Sequence, residues 1–195
     1  DVEALYCTNP DCAAKKIKSF ALFASRDAMN IDGLSEATLE KFIARGFIHD
    51  FGDIFEIAKH RDEIVEMDGF GEKSFENLIA SLDKAKETTL AKVIYSLGIA
   101  NIGLANAKVI CRHFDGDLEK IRHADEEEVS SIDTIGPVIA RSLTDYFAKE
   151  ENNKKLDHLM RYLTIKKEEK TGEQIFQNMN FVITGSVEHF ANRAQ

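Results

Sequence analysis

Two glycines flank a lone aromatic at Gly69-Phe70-Gly71, and a lysine, Lys73, follows two positions later, where an apolar-periodic segment begins. The same outline recurs at Ile102-Gly103, followed by Lys108, and at Ile135-Gly136, followed by Arg141. A fourth version has serine in the glycine position, at Leu34-Ser35, with Glu36 beside it. The chemistry open to such a stretch is anion binding. The first amides of a helix have no intrahelical partner, and the helix dipole is positive there. A small residue at that mouth lets another backbone come close. Successive N–H groups then form a nest whose natural guest is a phosphate. Lys73, Lys108 and Arg141 would add cations beside it. Contacts of this kind read the backbone of a nucleic acid and not its bases. Binding would be independent of sequence, with a modest salt dependence, because side chains neutralise few phosphates.

Each part also has a plainer reading. A glycine ahead of a helix commonly marks a turn or cap, and each of the three cations fits a solvated helix face equally well. Register is what separates the readings. Aligned on Ser35, Gly71, Gly103 and Gly136, the stretches recur roughly every 33 residues, a period that suits one helical hairpin per repeat. The residue before each anchor is apolar (Leu34, Phe70, Ile102, Ile135), and so is the residue three earlier (Ile31, Met67, Ile99, Ile132). Only the second stretch has glycine two before its glycine anchor; Asn101 and Thr134 hold that place in the third and fourth.

The elements that must position these turns are helices. Phe75, Leu78, Ile79 and Leu82 fall at i, i+3, i+4 and i+7, and Ile139, Leu143 and Phe147 make a similar stripe. A short apolar-periodic segment precedes each turn, as with Ile54, Phe55, Ala58, Ile64 and Val65. The expected fold is therefore mainly α: four tandem helix–turn–helix units. One strand stands out near the end, "FVITG" at Phe181–Gly185, β-branched and closed by glycine.

With 195 residues, 44% hydrophobic and 30% charged, the chain can build one or two cored domains. No apolar run is long enough to cross a membrane. The net charge of −9 disfavours a protein that coats nucleic acid by bulk electrostatics. It leaves room for a grip built from main-chain donors.

Cys7 and Cys12 bracket four residues, a loop that fits half of a tetrahedral zinc site, a pair of thiols or a disulfide. The third cysteine, Cys111, lies in a helical pattern and reads as core. The six histidines (His49, His60, His113, His123, His158 and His189) are scattered and read as surface or local packing. The acidic run Asp125–Glu128 reads as a solvated helix start. No nucleophile–base pairing suggests catalysis.

The stretches "IVEMDGFGEKSFENLIASLDKAK", "LAKVIYSLGIANIGLANAKVICRHF", "SIDTIGPVIARSLTDYF" and "ASRDAMNIDGLSEATLEKFIARGFIHDFGDIFEI" resemble the C-terminal half of bacterial NAD-dependent DNA ligases, in order and over essentially the whole chain. The resemblance implies the second half of a four-cysteine zinc module at 1–24, a helix-hairpin-helix domain with four motifs at 25–163, a linker at 164–178, and the start of a BRCT domain at 179–195. It makes Cys7 and Cys12 zinc ligands. It makes Gly69, Phe70, Gly71, Lys73, Ile102, Gly103, Lys108, Ile135, Gly136 and Arg141 the DNA-binding residues. It also implies a monomer that binds nicked double-stranded DNA in the bacterial cytoplasm. Ligation in this family uses NAD, magnesium and a lysine in a Lys-x-Asp-Gly motif. No such motif occurs here, so the adenylating chemistry is expected elsewhere in the parent. That family often places alanine four residues after the anchor; Ala107 and Ala140 fit, whereas Leu39 and Phe75 depart, so the first two hairpins should pack more loosely. Two alternatives remain: a helix-hairpin-helix module of another DNA-repair protein, and a protein-interaction module.

Overall fold

A computed structural model describes residues 13–167. Cys7, Cys12 and the expected BRCT strand fall outside that range. Among the described residues the chain forms eleven α-helices, one 3-10 turn and two three-residue strands. The helices are α1 (Ala13–Ala24), α2 (Glu36–Ala44), α3 (Phe51–Phe55), α4 (Arg61–Val65), α5 (Glu72–Ala85), α6 (Leu90–Ser96), α7 (Leu104–His113), α8 (Leu118–His123), α9 (Glu126–Ser130), α10 (Pro137–Phe147) and α11 (Glu150–Met160). The 3-10 turn covers Ile57–His60, and the strands are β1 (Glu87–Thr89) and β2 (Thr164–Lys166). Among the described residues no helix is long and apolar enough to cross a membrane.

Four of these helices open at the four aligned anchors. Ser35, Gly71, Gly103 and Gly136 are the N-cap residues of α2, α5, α7 and α10, all in extended backbone. Each of these helices packs on a preceding one: α2 on α1, α5 on α4, α7 on α6, α10 on α9. The mainly α fold of tandem helical hairpins is thus present. The apolar positions close the core, with Ile31, Met67, Ile99 and Ile132 buried ahead of the turns. Leu39, Phe75, Ala107 and Ala140 are buried four residues past the anchors. Where that residue is alanine the two helices lie in more extensive contact than α4 and α5 do, as its small side chain allows.

Two expectations change. Ala13–Ala24, allotted to the zinc module, is the helix on which α2 packs, and its Phe20, Phe23 and Ala24 are buried in the common core. Thr164–Lys166, allotted to the linker, is strand β2, paired in parallel with β1 in the register Glu87–Thr164, Thr88–Ile165 and Thr89–Lys166. A three-residue polar strand carries too little alternation to be read ahead of its partner. Its position is held by Thr164 N–H donating to the Lys86 carbonyl at 2.7 Å, and by Lys166 pairing with Glu87 at 2.5 Å.

Candidate nucleic-acid interface

Each hairpin turn is built by the same local rule. In the second, third and fourth, the amide just before the anchor bonds back three residues: Phe70 to Met67, Ile102 to Ile99, Ile135 to Ile132, at 2.9–3.1 Å. These are β-turns whose third residue must have positive φ. That residue is Gly69 (φ 79°), Asn101 (64°) or Thr134 (70°), and the first hairpin has Gly33 (91°) in the same place. The sequence reading missed Gly33 in this role. Its signal was available as the Asp-Gly dipeptide at 32–33, repeated at 68–69. Asn101 suits the left-handed region; Thr134, being β-branched, is strained there.

The apolar residue inside each turn faces the core. Leu34, Ile102 and Ile135 are buried. Phe70 is only half-buried; its ring packs against Phe42 with centroids 5.9 Å apart.

The helix mouths differ in what they leave open. Gly71, Gly103 and Gly136 give no side-chain cap, so the first amides of α5, α7 and α10 stay unclaimed by a capping group. A Cβ built on any of these glycines, or on Gly69, meets no atom within 4 Å. Main chain at these three mouths therefore faces open space. The first hairpin is different. Ser35 Oγ accepts the Thr38 amide at 3.2 Å and shares a bond with the Thr38 hydroxyl at 2.9 Å. That mouth caps itself; the carboxylate in its first turn, Glu36, has a counterpart in Glu72 of α5. At the fourth, Pro137 removes one N–H, and Val138 is left 64% exposed beside Gly136.

Lys73, Lys108 and Arg141 are exposed and enter no ion pair with the described residues. Arg61, near the second mouth, is already spent on Glu72, with both carboxylate oxygens within 2.8 Å of one guanidinium nitrogen. Among the described residues, the three cations that follow the glycine anchors carry no such carboxylate partner.

Cross-bonds pair the hairpins. Lys41 on α2 donates to the Asp68 carbonyl in the second turn at 2.8 Å, and the Asp32 amide in the first turn donates to Ser81 Oγ on α5 at 2.8 Å. Asn101 in the third turn donates to Ser142 Oγ on α10 at 3.1 Å. Turns are therefore braced by the neighbouring hairpin's second helix.

The other candidates take structural roles. Cys111 is buried in α7, and Asp125 caps α9 by accepting the Glu128 amide at 2.8 Å. Asp50, Asp53 and His158 lie within 4.8 Å of one another. Asp50 and Asp53 form a reciprocal capping box at α3, in which one oxygen of each accepts main-chain amides.

Residues 92–156 match the helix-hairpin-helix motif family. A DNA ligase of Lachnoclostridium phytofermentans is 55% identical over 194 residues, covering 99% of this chain and 30% of that protein. One from Ruminiclostridium cellulolyticum is 50% identical over 98% of this chain and 29% of its own length. Another from Spiroplasma citri is 36% identical over 92% and 27%. The chain spans about three-tenths of the length of these curated relatives. Proteins named DNA ligase thus match nearly all of this chain at 36–55% identity, and with the helix-hairpin-helix match this is consistent with a fragment of a bacterial DNA ligase.

Proposed function

We propose that this chain is a DNA-binding segment of an NAD-dependent DNA ligase, and that it holds nicked duplex DNA by the phosphate backbone. The observation that carries the reading is the open main chain at Gly71, Gly103 and Gly136, uncapped and with room for a Cβ on every side. Phosphate oxygens accept from those amides, and Lys73, Lys108 and Arg141 add charge next to them. Hairpins two, three and four carry the contact; hairpin one, capped by Ser35, braces the second. Because the donors are main-chain groups, a chain of net charge −9 can bind a polyanion. The likeness to DNA ligases supports the rest of the reading. Adenylation by a lysine, with NAD and magnesium, belongs to another part of the parent, and Cys7 and Cys12 contribute two thiolates to a structural zinc site. The parent acts as a monomer in the cytoplasm.

The test is Gly71→Ser or Gly103→Ser. Both glycines have negative φ, so serine fits the backbone, and its hydroxyl can cap the helix as Ser35 does. Thermal stability should hold or rise slightly while affinity for a nicked duplex falls at least tenfold. Lys84→Ala, on the exposed last turn of α5, should change affinity less than twofold. Equal effects from all three variants, or no binding by the wild-type chain at low salt, would sink the reading in favour of a protein-interaction module.

A further inference from the structure

Among the described residues the last helix, α11, meets the first half of the molecule at a histidine whose two ring nitrogens both face carboxylates. His158 Nδ1 lies 2.9 and 3.1 Å from the two oxygens of Asp50, and Nε2 lies 3.2 Å from Glu56 Oε1. A neutral imidazole has one N–H and one lone pair. It can satisfy one of these carboxylates and must turn a lone pair toward the other. Only the imidazolium donates to both. The seat is shaped for the ring: a Cβ on Gly52 would stand 2.6 Å from Nδ1, so glycine, a poor helix residue, is required inside α3. Tyr162, just past α11, also donates to Glu56, and its ring stacks on Phe55.

We propose that His158 is a proton-operated clasp: as an imidazolium it ties α11 to the Asp50–Glu56 rim of α3, and its deprotonation loosens α11 together with the strand β2 that follows it.

The charged surroundings are consistent with this. From α3 and its caps, Asp50, Asp53 and Glu56 face the ring; His49 stands 3.6 Å from Asp53, and Lys59 of the 3-10 turn pairs with Glu56 at 2.7 Å. Behind the ring, Tyr162 holds Glu56, and Asp157 on α11 is turned to Arg122 at 2.6 Å. Burial works against the charged ring, but its hydrogen bonds to Asp50 and Glu56, with the charges of Asp50 and Asp53, outweigh it and raise the His158 pKa above the ordinary histidine value. A raised folded-state pKa means the clasp is fully closed below the unfolded value of about 6.5 and opens as pH rises through the folded one.

The test uses the whole 195-residue chain. Titration of histidine ring protons by NMR should place His158 above about 6.5. Amide hydrogen exchange, corrected for intrinsic rates, should show opening of α11 increasing with pH across the His158 titration, by about tenfold for each unit separating its clasped and open pKa values, while α7 stays level. Glu56→Gln should lower the His158 midpoint and leave the chain folded; Gly52→Ala should displace the ring and move the midpoint toward the ordinary value. A wild-type midpoint at or below about 6.5 would overturn the proposal. So would α11 protection that follows α7 at every pH, or a midpoint unmoved by Glu56→Gln.

Discussion

Asn101 donates from its side-chain amide to Ser142 Oγ, 3.1 Å away and 41 residues along the chain. Its own backbone occupies the left-handed region at φ 64°. One residue thus shapes the third turn and ties it to the second helix of the fourth hairpin. The Asn106 side chain completes the local network by donating to the Asn101 carbonyl at 3.2 Å. These two roles can be separated. Asn101→Gly keeps the turn and loses the tie, and should cost about 1 kcal/mol. Asn101→Ala loses the tie and adds the left-handed penalty, for about 2–3 kcal/mol in all. Urea unfolding of both variants measures the difference, and an alanine no worse than the glycine would remove the strain argument.

Thr134 gives the opposite expectation. It is exposed, β-branched and held at φ 70°, with no hydrogen bond from its hydroxyl among the described residues. Backbone strain at such a site is worth roughly 1–3 kcal/mol, against about 0.5–1 kcal/mol for the greater unfolded-state freedom of glycine. Thr134→Gly should therefore stabilise the chain, by about 1 kcal/mol, and the denaturant midpoint should rise.

How much of this could be read from sequence depends on how locally each feature is encoded. The four anchors were legible because one rule, small residue then amphipathic helix, repeats in register, and Ser35, Gly71, Gly103 and Gly136 all cap helices. Residues 13–24 were harder. Phe20 and Phe23 mark an apolar face, but its partner α2 lies beyond the long turn at 25–35. The strand β2 was illegible because its order comes from Glu87–Thr89, more than seventy residues earlier in the chain. His158 was read as one of several scattered histidines. Its partners Asp50 and Glu56 are 108 and 102 positions away, and no local pattern announces a pairing of that span.

Acid should weaken the attachment of α11 from the other side. The Glu56 carboxyl is held down to about 2, first by its hydrogen bond with Lys59, then by those from Tyr162 and His158. A depressed folded pKa contributes stability that is complete above the unfolded value of about 4.5 and is lost as pH falls through the folded one. Glu56→Gln should be less stable than wild type at pH 6. The gap should narrow below about 4.5 and close near 2. Thermal melts at pH 6, 4 and 2.5 provide the comparison; a gap independent of pH would mean the charge plays no part.

The cations beside the glycine mouths can be told from ordinary surface charge by salt. Lys73, Lys108 and Arg141 are exposed and unpaired with any described carboxylate, whereas Lys154 pairs with Glu150 at 2.7 Å on α11. If the first three each neutralise a phosphate, removing one should flatten the slope of log affinity against log salt by about one. Affinity should fall by the same factor on duplexes of unrelated sequence, since no base is read. Lys154→Ala should leave the slope unchanged. A titration of Lys108→Ala on two duplexes at three salt concentrations is enough to decide. A loss confined to one sequence would point to base contacts, and an unchanged slope would return Lys108 to the solvated face.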